Sequence, residues 1–303
     1  MKKVAFGNMY NRTFYALGAA TGSAIGVLIG SIIYLFIMII SISGKINSGK
    51  DTVGGIINYF KWKSLVEKGE VKTLNWILQD FLEGRPSSYF EIKKFAEKLK
   101  QITCILLGCT REQLEDREFK EEELGVEWWY FKEKNLDSYG HTKVPFAQVH
   151  NYDEELVKLT PRKILQLLGT EAGREVIHPQ IWVNALMAEY KLDDGRVIED
   201  ISEENKANYL TGFAPTKQMY FREPRYPNWI ITDTRFPNEL QAVKDKGGIT
   251  IKVVRPETDY LAGDHASETA LDKSKFDYVI VNDGTMDDLV KKIEKILIGE
   301  GII

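Results

Sequence analysis

The sequence predicts an α/β protein built on a parallel sheet covered by helices on both faces. Three observations carry this. The runs "IMIISIS", "NWIITD" and "ITIKVV" are short, continuously apolar and rich in β-branched residues, as strands buried on both faces are. Segments with helical apolar spacing lie between such runs. Glycine, proline and hydroxyl residues mark the joints, so strands and helices alternate along the chain. With 303 residues, the chain can bury a substantial core in one large or two small domains.

The first strand, residues 38–43, runs straight into "SGKINSGKDT". Val53, Ile56, Ile57 and Phe60 then follow i, i+3, i+4, i+7 spacing, which predicts a helix opening at the glycine loop. Residues 61–86 are mixed and charged, and read as an insertion. "SYFEIKKFA" has room for a short strand. Phe95, Leu99, Ile102 and Leu106 predict a helix that ends at Gly108. "REQLEDREFKEEELG" is charge-dense and solvated, and the aromatic, polar stretch after it reads as a loop or small hairpin insertion.

In "LTPRKILQLLG", Thr160 caps a helix, Pro161 fills its first turn and Gly169 closes it. "HPQIWVNALMAEY" repeats the device with Pro179. The stretch from "GRVIED" to "PRYP" is polar and reads as irregular. "NWIITD" is a strand, "NELQAVKDKGG" a helix, and "ITIKVV" and "FDYVIVND" further strands. Thr285 and Asp288 form a capping box at the start of a last helix. Met286, Leu289, Val290, Ile293 and Leu297 line one face of it.

Composition narrows the functional classes. The formal net charge is −4, which gives no overall field to draw the chain to nucleic acid. Cys104 and Cys109 are too few for a disulfide framework and read as reduced thiols of a cytoplasmic protein. The N-terminal region is different in kind. Residues 13–44 carry no charge, and Lys2, Lys3 and Arg12 precede them. That run is long enough to span a bilayer. Its last part is also the strand that feeds the loop, however, and a span ending near Phe36 leaves almost no linker. Residues 1–37 are thus either a membrane anchor or an appendage to a working domain of residues 38–303. Membrane contact rests on residues 14–37 alone.

Four segments carry chemistry. In the first, Gly44 and Gly49 are four residues apart and Lys50 follows. Glycines at this spacing let backbone N–H groups converge on phosphate oxygens at a helix N-terminus. Asn47, Ser48 and Gly49 would line that cradle, and Lys50 would reach the β- and γ-phosphates. The usual magnesium-binding hydroxyl directly after the lysine is replaced by Asp51, with Thr52 one place later. A plain strand-to-helix turn with a surface lysine is the alternative.

In the second, "WIITDTRFPNE", a strand ends near Asp233 and Arg235. The carboxyl ends of parallel strands open onto ligands. An aspartate there suits a magnesium water or a ribose hydroxyl, and the arginine suits a phosphate. The alternative is a helix cap with a surface arginine. In the third, Arg162, Gln166, Thr170, Arg174 and Trp182 surround the polar break "GTEAGRE". They could hold a second phosphate and stack a base, or belong to two ordinary helices. In the fourth, "DHASETALD", His265, Ser267 and Glu268 cluster before the last strand. A contact with phosphate or a lid fits them better than a Ser-His hydrolase, for which no nucleophile elbow occurs.

Together these segments resemble the deoxynucleoside monophosphate kinases of large tailed bacteriophages and related viruses. The likeness rests on "SGKDT", "KKFAEKLK", "LEDREFKEEELG", "TPRKILQLLGTEAGREVIHPQIWVNAL", "ITDTRFPNE", "DHASETALD" and "FDYVIVNDGTMDDL". It runs from residue 38 to the C-terminus, with insertions around 61–88 and 126–155. Gly-Lys-Gly-Thr loops of monophosphate kinases share the offset threonine. The leading hydrophobic segment departs from the family.

The resemblance implies a P-loop kinase fold and transfer of the γ-phosphoryl of ATP to a deoxynucleoside 5′-monophosphate, supplying DNA precursors. It implies ATP and Mg²⁺ as cofactors and small-molecule substrates as partners. Residues 47–52 would cradle the ATP phosphates, Lys50 would bridge them, and Thr52 with Asp51 would serve magnesium. Arg174, Arg235 and Asp233 would act at the transferring group, with Arg162, Gln166, Thr170, Trp182 and Glu268 on the acceptor side. The implied location is the cytoplasm, that of the host cell for a viral protein. A homodimer stays open. Two other readings are a P-loop NTPase that hydrolyses its nucleotide, and a membrane-tethered nucleotide-binding protein without kinase activity.

Overall fold

The computed structural model describes residues 38–71, 76–84, 89–133, 143–145, 154–200, 217–221, 225–256 and 269–303. The apolar segment 14–37 and the cluster containing His265, Ser267 and Glu268 lie outside them. The chain divides into two compact units, one from Met1–Lys94 with Met187–Ile303, the other Phe95–Leu186.

The first unit is built on a five-stranded sheet. Its strands are β1 (Ile39–Ser43), β2 (Glu91–Lys93), β8 (Trp229–Ile231), β9 (Ile249–Val254) and β10 (Tyr278–Val281). They lie in the order β10-β9-β1-β8-β2, and every neighbouring pair is parallel. All five residues of β1 are buried, which is why the strand is apolar at successive positions rather than alternate ones. Ile40 and Ile42 join one core with Val53, Ile56, Ile57 and Phe60 of helix α1 (Lys50–Glu67) and Leu289, Ile293 and Leu297 of the last helix (Met286–Gly299). The opposite face is covered by the helix Pro237–Asp245, which packs on β9 and β1 and buries Leu240 and Val243. The sheet is thus covered on both faces, an α/β arrangement consistent with a P-loop kinase fold.

Side chains tie the sheet margins to the helices. The Asn58 amide donates to the Phe90 carbonyl at 3.2 Å and accepts from the Phe90 N–H at 3.0 Å, replacing a ladder bond just before β2. Thr250 and Asp277 exchange bonds of 2.7–3.1 Å between the starts of β9 and β10. The C-terminal helix begins at Thr285, whose side chain accepts from Asp288 N as the capping box requires.

Several elements depart from expectation. Helix α1 runs on to Glu67, so residues 61–67, expected to begin an insertion, continue the helix and bury Ser64. The stretch expected to be irregular contains β6 (Arg196–Asp200) and β7 (Lys217–Phe221), paired antiparallel. Alternation in "RVIED" and "KQMYF" is weak because each strand is short and its partner lies across residues 201–216.

In the second unit, α2 (Glu97–Leu107) ends at Gly108 as expected, but only part of its apolar face is covered. Leu99 and Thr103 are buried, whereas Ile102, Ile105 and Leu106 are 43%, 79% and 49% exposed. The charge-dense stretch forms two one-turn helices, Arg111–Glu115 and Arg117–Glu121, around the fully buried Leu114. The aromatic insertion is a three-stranded antiparallel sheet, β3 (Tyr130–Glu133) between β4 (Lys143–Pro145) and β5 (Glu154–Val157). Both cysteines are free thiols.

The main correction concerns "GTEAGRE". It is not a break between helices. The helix Pro161–Gln166, capped by Thr160, passes directly into a π-helix, Leu167–Ile177. Gly169 sits inside this run and does not close it. Propensity could not signal this, since a π-turn differs from an α-turn only in which carbonyl each N–H reaches.

Candidate active site

The loop between β1 and α1 takes the shape its sequence asks for. Gly49 is the N-cap of α1 with φ 93°, a left-handed conformation open to glycine. A Cβ there would also come within 2.8 Å of Asn282 Nδ2. Asn47 has φ 61°, the one non-glycine residue with positive φ among the described residues. A Cβ on Gly44 would lie 2.4 Å from Ser48 Oγ and 2.7 Å from the Val253 carbonyl, so the chain must be bare at the strand exit. Ser48 N–H donates to the Lys45 carbonyl at 3.2 Å and closes the turn. Ser48 itself is 1% exposed.

Gly49 supplies no side-chain cap to the first turn of α1, an 18-residue helix. The amides of that turn and the helix dipole therefore make an anion-binding end, with Lys50 and Thr52 beside it. The loop is fixed from the far strand too. Asn282, just after β10, donates through Nδ2 to the Ser48 carbonyl at 3.0 Å and through its backbone N–H to the Val254 carbonyl at 2.7 Å.

Asp51 is tied to the other side of the sheet. Its Oδ1 accepts from Thr232 Oγ1 at 2.8 Å and lies 3.4 Å from Lys94 Nζ. Burial alone would raise its carboxyl, but Lys94, the Thr232 hydroxyl and Lys50 outweigh that and hold it below the usual carboxylate range.

The chain leaving β8 is held with equal care. Thr234 Oγ1 and Ser41 Oγ are 2.7 Å apart and buried. Asp233 is 9% exposed. The Glu239 carboxylate accepts from the backbone N–H of Arg235 at 2.8 Å and of Phe236 at 3.1 Å, and is itself buried. These bonds set the Arg235 backbone. Thr232, Glu239, Asn282 and Lys94 escaped the sequence reading. Glu239 alone had a local signal, a glutamate three residues into a helix that opens with proline. The others meet the loop across the sheet.

The first unit therefore brings together Gly44, Asn47, Ser48, Gly49, Lys50, Asp51 and Thr52 with the exit of β8. Of the remaining predicted residues, Glu268 lies outside the described residues, and Arg162, Gln166, Thr170, Arg174 and Trp182 belong to the second unit. Arg162 pairs with Glu121, and Gln166 ends the helix that Thr160 caps. Thr170 and Arg174 lie in the π-helix and are half-buried. Trp182 is 5% exposed, and its Nε1 donates to the Gly169 carbonyl at 2.9 Å. Its ring lies so close to Gly173 that a Cβ there would be 3.0 Å from Cζ2. This corrects the expectation that Trp182 offers an open face to a base: the ring is packed against the π-helix and pins it.

Comparison with known proteins agrees with this picture. The family model for deoxynucleotide monophosphate kinase matches residues 205–293. The chain is 22% identical over 274 residues to the deoxynucleoside-5′-monophosphate kinase of Escherichia phage T5, covering 81% of this chain and 89% of that protein. It is 39% identical over 136 residues to the deoxynucleotide monophosphate kinase of Escherichia phage RB69, covering 45% and 44% of the two chains. A putative deoxynucleotide monophosphate kinase of Acanthamoeba polyphaga mimivirus is 29% identical over 147 residues, 46% of this chain and 63% of that one. With a parallel α/β sheet and a phosphate-type loop at its centre, the chain is similar in sequence to deoxynucleotide monophosphate kinases.

Proposed function

We propose that the chain transfers the γ-phosphoryl group of ATP to the phosphate of a deoxynucleoside 5′-monophosphate. An oxygen of the acceptor phosphate attacks the γ-phosphorus, the bond from that phosphorus to the β–γ bridging oxygen breaks, and ADP leaves beside the deoxynucleoside diphosphate. The observation that carries this reading is the loop of residues 44–50, left-handed at Asn47 and Gly49 and opening on the uncapped end of α1.

The acceptor is already anionic, so the reaction calls for positioning and charge stabilisation and little for a strong base. The amides of residues 47–52 hold the donor phosphates and Lys50 bridges β- and γ-oxygens. Arg174 and Arg235 are assigned to the acceptor phosphate or the transferring group, Asp233 to the transferring group, and Arg162, Gln166, Thr170 and Glu268 to the acceptor. Magnesium, when bound, supplies neutralisation of the donor's β- and γ-oxygens. The Thr52 hydroxyl, in the first turn of α1, fits it as a direct ligand. Asp51 fits less well, because its Oδ1 already accepts from Thr232 and faces Lys94. Its part is to fix the loop and to orient a metal-bound water.

A coupled assay with ATP, magnesium and each dNMP in turn tests the reading and identifies the base accepted. Lys50→Ala is expected to lower turnover by roughly two orders of magnitude, the scale of one lost transition-state charge contact. Phosphate release without any dNDP, or near-normal turnover in Lys50→Ala, would refute it.

A further inference from the structure

The phosphate loop is held from both edges of the sheet. Asn282, following edge strand β10, grips the Ser48 carbonyl, whereas Asp51 is held by Thr232, after β8, and by Lys94, after edge strand β2. Lys94 thus stands at the carboxyl end of its strand, where parallel sheets open onto ligands. It lies on the side where the chain leaves β8 towards Asp233 and Arg235.

Two adjacent lysines make the contrast clear. Lys93 has a structural setting: its ammonium lies 3.0 Å from Glu91 and 3.4 Å from Glu189, and sits 5.2 Å from the centre of the Trp229 ring. Lys94 pairs with Asp51 instead, and the two side chains are 34% and 61% exposed. A pair this exposed contributes little to stability, so stability does not explain why it is there. A carboxylate in the first turn of α1 would repel incoming phosphates unless a cation offset it. Lys94 offsets it in the free protein. Because the pair is solvated, its ammonium can exchange Asp51 for a phosphate oxygen at small cost.

We propose that Lys94 is a ligand of the acceptor nucleotide's phosphate, held on Asp51 until that nucleotide arrives. This rests on the kinase reading above. It adds to the acceptor site a cation from the residue that follows β2, and gives Asp51 the task of placing it.

The test compares wild type, Lys94→Met, Lys94→Arg and Asp51→Asn in steady-state kinetics with ATP and the best dNMP, alongside thermal unfolding. Lys94→Met should raise the KM for the dNMP about tenfold or more, the scale of one charge-assisted hydrogen bond, and leave the KM for ATP within about twofold. Lys94→Arg should recover most of the loss, and the melting temperatures of both should match wild type. An unchanged KM for the dNMP in Lys94→Met would overturn the assignment. So would losses in Lys94→Met and Asp51→Asn that are equal and fall on ATP and dNMP alike, since those describe a structural tether. A wild-type chain that turns over no dNMP overturns the kinase reading and this one together; a working wild type with an indifferent Lys94→Met overturns only this one.

Discussion

Asp51 stands where a phosphate loop ordinarily carries its metal-binding hydroxyl, and its surroundings give the substitution a reason. Its Oδ1 accepts from the Thr232 hydroxyl and lies 3.4 Å from Lys94 Nζ. The offset threonine was legible in "SGKDT", but the partners of Asp51 were not. Thr232 lies 181 positions away, and no local pattern reports a contact that only sheet order creates. The carboxyl is held below its usual range, so its pairing adds stability at neutral pH, lost as pH falls through the folded-state value. Solvent screening keeps this contribution small. Asp51→Asn should therefore lower the melting temperature slightly above about pH 5, with the difference from wild type closing below about pH 4, as first the unfolded and then the folded carboxyl takes up its proton. Melting curves recorded from pH 3 to pH 8 decide this, and a gap that widens towards acid would contradict the pairing.

At the scale of elements, caps carry a local sequence signal and helix continuity does not. Thr160, Pro161 and the Thr285–Asp288 box act as their residue types require. Gly169 looked like a stop and is an interior packing position, where a Cβ would lie 3.0 Å from Leu99 Cδ2. Gly173 is tighter still. A Cβ there would meet the Leu168 carbonyl at 2.4 Å, and backbone cannot yield as a side-chain tip can. The π-helix, Gly173 and the Trp182 ring thus form one packed set, and Arg174 is the next residue along it. Gly173→Ala is expected to cost about 1–3 kcal/mol of stability, the usual penalty of overpacking, read from denaturant unfolding. In the folded fraction it should raise the KM for the dNMP more than that for ATP, because the distortion falls beside Arg174. A variant as stable as wild type would mean the π-helix relaxes freely to another form.

Across the whole molecule, the parallel sheet was legible because burial on both faces removes the alternation that other strands show. β1 is the clearest case, with five buried residues in succession. The same apolar character joined it in sequence to the charge-free residues before it, and composition could not separate strand from anchor. Among the described residues, the sheet's hydrogen bonding begins at Met38, whose carbonyl accepts from Trp229 N–H at 2.9 Å. Among the described residues no helix is long and apolar enough to cross a membrane. Every described residue of the loop and of the β8 exit lies within 38–303, and so does the match to the family model. A chain of residues 38–303 should therefore fold and phosphorylate its dNMP with kcat and KM within about twofold of the full chain, whatever residues 1–37 do for its location. The full chain and this shorter one, expressed side by side, should differ in the fraction recovered with membranes if the segment is an anchor. Loss of activity in the shorter chain, restored by adding back residues 1–37, would show that the segment belongs to the working domain.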